Sequence, residues 1–148
     1  MLGMKTKEDG KKYNYLGKAG EHRIMAELLM RGINPCRAEI DDGMDFILEN
    51  GKKIQAKASH SVKMKIWRYE APTYRYDLGK RRYHALTGKT LQTFPKEDID
   101  FYILWMVNDD KFLVIPKTEI GKIKSIVIPD LSGKSKWHKF LDKWDLLI

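Results

Sequence analysis

The chain has 148 residues, 43% of them hydrophobic, which suits one domain with a real core and excludes both a disordered chain and two comfortable domains. Its 28 Lys and Arg against 20 Asp and Glu leave a net charge of +8, which favours a polyanionic partner, nucleic acid ahead of an anionic membrane. The single cysteine, Cys36, rules out an internal disulfide and a cysteine zinc cage, and no apolar run is long enough to span a bilayer. The polar, basic start has no apolar secretion core, so a cytoplasmic, prokaryotic-type intracellular setting is expected, away from membranes. Cys36 itself is expected to be a small buried residue.

In chain order, residues 1–12 read as a flexible, Lys-rich tail. A first helix is expected from Asn14 or Tyr15 to Gly32, a good residue for the left-handed position that ends a helix. Helical spacing gathers Ile24, Met25, Leu28 and Leu29 on one face and sets Glu21 in the middle of it. Arg23, Glu27 and Arg31 line the other side at i, i+4 spacing, as a solvated charge ladder. A carboxylate aimed at the core, as Glu21 is, needs a partner or a metal. Ile33 to Ile40 reads as a strand, and Pro35 places it at an edge. Asp41-Asp42-Gly43 is a turn into the next strand.

The stretch from Gly43 to Lys57 organises the rest. Two apolar runs, Met44 to Leu48 and Ile54 to Ala58, flank Asn50-Gly51, the form of a β-hairpin. A two-residue loop would put Asp45 opposite Ala56 and turn Gln55 and Lys57 to the other face. A three-residue loop, Glu49-Asn50-Gly51, pairs Leu48 with Lys52 and sets Asp45 opposite Gln55, with Lys57 diagonal on the same face. The longer loop is preferred because it also gathers Met44, Phe46, Leu48, Ile54, Ala56 and Ala58 on one apolar face.

From Lys52 to Lys96 basic residues dominate, with aromatics between them. Val62 to Tyr69 alternates basic and apolar residues, a strand with one basic face, and the segment through Lys80-Arg81-Arg82 reads as a loop or arm. Residues 60–96 are therefore expected to be a DNA-contacting insertion. Lys63, Lys65, Arg68, Arg75, Lys80, Arg81, Arg82 and Lys89 would face phosphates. Ile99 to Val107 and Phe112 to Pro116 form a second hairpin, Ile123 to Ile128 a short strand, and Ser135 to Leu146 a terminal helix carrying Trp137, Phe140, Leu141 and Trp144.

Glu21, Asp45 and Gln55 offer oxygen donors, which suit Mg²⁺ or Mn²⁺ rather than zinc. A carboxylate-held divalent ion beside a lysine is a phosphodiester-cleaving arrangement: the metal acidifies water, and the lysine orients the nucleophile or stabilises the transition state. Gly17-x-x-Gly20-Glu21, Ala26-Glu27-Leu28-Leu29 with Gly32, Gly43-Met44-Asp45-Phe46 and Ile54-Gln55-Ala56-Lys57 together resemble the PD-(D/E)XK nuclease superfamily. The nearest resemblance is to its small prokaryotic branch of Holliday junction resolvases and intron-encoded homing endonucleases. The resemblance implies an α/β (α+β) fold with a restriction-endonuclease-like αβββαβ core, a central mixed sheet flanked by helices, in a single domain over 1–148. It gives Asp45 the metal aspartate's place, Gln55 the (D/E) position, Lys57 the catalytic lysine's and Glu21 that of the helix glutamate. The implied activity is a Mg²⁺- or Mn²⁺-dependent DNA endonuclease leaving 5′-phosphate products, acting on duplex or branched DNA as a homodimer or higher homo-oligomer. Gln55 departs from the usual acid; its amide oxygen can ligate a metal but brings no charge, so a binding module without catalysis is the alternative.

Overall fold

The structure is a computed structural model that describes residues 7–39, 43–66, 68–79, 81–93, 95, 98–129 and 135–148. Helix α1 (Lys7–Met30) begins well before Asn14, so residues 7–12 of the expected tail are helical, while 1–6 lie outside the described residues. Its end is the expected one. Gly32 sits at φ +74°, its N–H donates to the Leu29 carbonyl, and the Ile33 N–H donates to Leu28, which closes a Schellman cap. Ile24 and Leu28 are fully buried, whereas Leu29, expected on the same face, is 54% exposed.

The central sheet has the order β1-β2-β3-β8-β9, built from β1 (Pro35–Arg37), β2 (Phe46–Leu48), β3 (Lys53–Ser59), β8 (Phe101–Met106) and β9 (Lys111–Pro116). β1 is an edge strand, as Pro35 requires. Cys36, on this edge strand that pairs only with β2 among the described strands, is exposed rather than buried. β3 and β8 run parallel and the other pairs antiparallel, so the sheet is mixed. The described part of the crossover from β3 to β8 contains strands and not the helix of the αβββαβ pattern: β4 (Val62–Ile66), β5 (Tyr69–Asp77), β6 (Arg81–His84) and β7 (Lys89–Gln92). The expected loop or arm after Tyr69 is thus a nine-residue strand followed by a hairpin. β4 and β5 join β10 (Ser125–Ile128) in a second sheet of order β10-β5-β4, and α2 (Lys117–Ile120) links β9 to β10.

Strand alternation sorts the core into two layers. Phe46, Leu48, Ile54, Ile103 and Val114 face α1, with Ile24 and Leu28 above them. Tyr102, Leu104, Met106, Leu113 and Ile115 point the other way, against Tyr74 and Tyr76 of β5 and Ile126 and Ile128 of β10. A helix therefore covers one face of the central sheet, and the second sheet, with α2, covers the other.

The last residues serve both layers, and for that reason they are not the expected helix over Ser135 to Leu146. Trp137 and Phe140 enter the β5 side, whereas Trp144 and Leu147 enter the α1 side. One short helix cannot send aromatics to both faces of a sheet. The chain instead makes two 3₁₀ turns, His138–Phe140 and Trp144–Leu147. Between them Leu141 bridges to Leu113 and Asp142, at φ +50°, donates its N–H to Phe112. The tail thus crosses and covers the edge strand β9. The Arg23–Glu27–Arg31 ladder pairs as its spacing predicts, yet it is not a solvated face. Arg23 lies over the Phe112 ring and Arg31 over the Trp144 ring, at 4.9 and 4.8 Å from the ring centroids.

α1 sits close on β3 because residue 20 is glycine. A Cβ there would stand 2.6 Å from the Cβ of Ala58, well inside contact distance. Gly20→Ala gains up to about 1 kcal/mol in helix propensity but overpacks the interface, at a cost of about 1–3 kcal/mol. We expect a net loss of stability, read as a lower urea midpoint with an unchanged slope.

Candidate active site

The β2–β3 hairpin has the three-residue loop. Phe46 pairs with Ile54 and Ile47 with Lys53, the Leu48 N–H donates to Lys52, and Gly51, at φ +83°, donates to Leu48. Extended by one residue, this register would bring Asp45 opposite Gln55, but the pairing ends at Phe46 and Ile54. Continued ideally, the ladder would have the Ala56 N–H bonded to the Met44 carbonyl. Instead the Asp45 carboxylate accepts from Ala56 N–H at 2.7 Å, while the Asp45 N–H donates to Ile54. The backbone leaves the ladder at Asp45, which is why β2 begins only at Phe46. It also moves Met44 off the apolar face shared by Phe46 and Leu48, and Met44 packs against the β5-side core instead.

Gln55 and Lys57 lie on one face of β3, beside Tyr102 and Leu104 of the parallel neighbour β8, and so under the second sheet. Lys57 is half-buried. Burial pulls its ammonium below the usual lysine range, and the negative charges of Asp45 and Asp77 oppose that shift. Asp77, at the end of β5, is a carboxylate the sequence reading did not assign to the site. The available signal was its isolation, as one of two acids in a strongly basic stretch.

Glu21 comes from the opposite side. It belongs to α1, on the other face of the sheet, and reaches the end of β2 around the sheet's edge. There it lines a polar cleft with Asp45, Lys18, Arg37, Ala38 and Met44. Its carboxylate takes hydrogen bonds from Lys18 Nζ at 3.0 and 3.1 Å and from Arg37 Nη2 at 3.2 Å. Lys18 is legible three residues before Glu21 on the helix; Arg37 is brought there only by the pairing of β1 with β2. Gln55 and Lys57 are not in the wall of that cleft. Asp45 connects the two halves: it shares the cleft with Glu21 and its charge acts on Lys57.

The donors are a glutamate, an aspartate and an amide, all hard oxygens, and they fit Mg²⁺ or Mn²⁺ by chemistry. Because the third donor is Gln55, it adds no acid to the set. Among the described residues no three His, Cys, Asp or Glu side chains stand together as a metal cage. Lys18 and Arg37 already hold the Glu21 carboxylate.

Of the expected phosphate-facing residues, Lys63, Lys65, Arg68, Arg75 and Lys89 are exposed. Lys63 and Lys65 share one face of the edge strand β4, and Arg75 lies 3.7 Å from Asp77. Arg81 and Arg82 are in β6, their side chains outside the described residues, as is the whole of Lys80. Trp67, Asp41 and Asp42 also lie outside the described residues. No described helix is long and apolar enough to cross a membrane.

No family model and no curated protein matches this sequence. Among solved structures, that of a bacterial homing endonuclease, I-Ssp6803I, is similar over 90% of this chain and 91% of its own, with a TM-score of 0.70 and 17% sequence identity. The chain has the mixed α+β fold of that endonuclease, a central mixed sheet with its helix and second layer.

Proposed function

We propose that this protein is a DNA endonuclease of the PD-(D/E)XK type that hydrolyses phosphodiester bonds with Mg²⁺ or Mn²⁺. The observation that carries the reading is that the Asp45 carboxylate is held by the Ala56 N–H, between Gln55 and Lys57 on β3, where its charge acts on Lys57. The similarity to an endonuclease structure over nearly the whole length of both chains supports it.

In this reading Asp45 would anchor the cation, with Glu21 on the cleft side and Gln55 on the β3 side as the further oxygen donors, and the ion would supply a Lewis acid for water and for the phosphate charge. The Ala56 N–H fixes the Asp45 carboxylate before substrate arrives, so little reorganisation is left for the reaction. Lys57 stands beside Asp45 to orient the attacking water and to stabilise the phosphorane-like charge. Lys18 and Arg37 hold Glu21 at the sheet edge until the cation competes for it. Basic residues on β4 and in the segment after it set affinity for the backbone. Cutting both strands takes two such sites, and a homodimer or higher homo-oligomer supplies them.

The test is nicking of supercoiled plasmid and of four-way-junction DNA, with Mg²⁺ and with chelator. Metal-dependent cleavage that disappears in Asp45→Asn and Lys57→Met supports the assignment; cleavage that persists in both removes it. The neutral Gln55 also favours a second reading, a DNA-binding module without catalysis. That reading expects salt-dependent binding, no cleavage in either metal, and unchanged affinity in Asp45→Ala.

A further inference from the structure

β6 and β7 form a two-stranded ribbon that, among the described residues, pairs with no other strand. Every residue from Tyr83 to Leu91 is exposed, and none contributes to either core layer. Three of them are large and apolar: Tyr83 is 70% exposed, Leu91 57%, and Leu86, at the tip, 93%. An isolated two-stranded hairpin is marginal in water, and one with both faces wet has no core to hold it. A partner that accepts both faces of a narrow ribbon resolves that problem.

Charge and dimensions identify the partner. From Arg81 to Gln92 the sequence carries Arg81, Arg82 and Lys89 and no acid. A second copy of the same ribbon would bring like charges together, whereas a polyanion would not. Strands of four residues reach about 14 Å, beyond the roughly 8.5 Å depth of a B-DNA major groove. The major groove, about 12 Å wide, admits a two-stranded ribbon; the minor groove, about 6 Å wide, does not.

We propose that the β6–β7 ribbon enters the major groove of duplex DNA and reads base edges there, an inference that rests on the DNA-cleaving reading above. The register pairs Tyr83 with Thr90 on one face and His84 with Lys89 on the other. Tyr83, Thr90 and Lys89 are the hydrogen-bonding readers, and Leu86 and Leu91 are the apolar contacts suited to thymine methyl groups. Lys63 and Lys65 remain outside on the backbone and set register.

The experiment selects duplexes from a pool with a randomised central segment, using the full chain in chelator, and compares it with the charge-neutral triple variant Tyr83→Ala, Leu86→Ala, Leu91→Ala. The expected result is a consensus for the parent, and at least roughly tenfold weaker discrimination in the variant. Affinity for scrambled duplex should stay within about threefold, with the same salt slope, because no phosphate contact is removed. Methylation of guanine N7 within the consensus should block parent binding. All three substituted side chains are exposed and lie off the core, so circular dichroism and melting of the variant should match the parent. An unaltered consensus in the variant, or no effect of N7 methylation, overturns the ribbon's role and leaves the nuclease reading standing. Loss of self-association with the consensus intact also overturns it, by assigning the ribbon to a second copy. Failure of the parent to bind any duplex overturns the ribbon's role, and the nuclease reading falls with it only if plasmid and four-way-junction DNA are also left uncut in Mg²⁺.

Discussion

Asp45→Asn is expected to reduce plasmid nicking by roughly a thousandfold, about 4 kcal/mol of transition-state stabilisation, while leaving the fold intact. The substitution is chosen for what it keeps. The asparagine side-chain oxygen can still accept the Ala56 N–H that Asp45 accepts at 2.7 Å, so β3 loses no hydrogen bond. What disappears is the negative charge that would hold a divalent cation. Asp45→Ala removes both, and the unpaired Ala56 N–H adds a stability cost of about 1–3 kcal/mol. The two variants should therefore be equally inactive and differ in melting temperature. DNA affinity should hold steady or rise in Asp45→Asn, because one anion is removed from a phosphate-binding surface. A rate near that of the parent in Asp45→Asn would end the metal-dependent mechanism.

Lys57→Met should cost a similar factor in rate and yet make the protein no less stable, and more stable at neutral pH. Burial disfavours the Lys57 ammonium, and Asp45 and Asp77 only partly offset this, so its pKa is lowered from 10.5. The pH dependence follows from that direction. Below the lowered pKa, Lys57 is protonated in both the folded and unfolded chains, and the folded chain bears the full cost of the buried charge. Between the lowered pKa and 10.5 the unfolded chain binds more protons than the folded one, so parent stability rises with pH. Above 10.5 both are neutral and the cost is gone. The advantage of Lys57→Met should thus be largest at neutral pH and shrink as pH approaches 10.5. Chemical denaturation at pH 7 and at pH 10 measures it. A parent more stable than the variant at neutral pH would mean that the ion pairs of Lys57 outweigh its burial. Lost activity with kept stability is the mark of a side chain placed for chemistry rather than packing.

Much of the local architecture was legible because it depends on neighbours in sequence. Gly32 ends α1 where a left-handed residue is needed. The Ile99 to Val107 and Phe112 to Pro116 runs became β8 and β9 in the expected pairing. Elements whose form depends on distant partners were not legible. Trp137, Phe140 and Trp144 have helical spacing, but the core is split by the sheet, and the tail must reach both sides of it. Cys36 has the residue type of a buried position and lies exposed on an edge strand. Met44 follows the alternation of its strand until the Asp45 carboxylate displaces a backbone acceptor.

For the candidate site the division falls in the same place. The chain's own pattern determined the hairpin register, Phe46 on Ile54 and Ile47 on Lys53, because a one-residue slip would have exposed Phe46, Leu48 and Ile54 together. Only the tertiary structure decided that Glu21 meets Arg37 at the sheet edge and that Asp77 lies within electrostatic reach of Lys57. Those neighbours are set by how α1 and β5 pack on opposite faces of the sheet, a matter of side-chain volume such as the missing Cβ at Gly20, and no local periodicity encodes it.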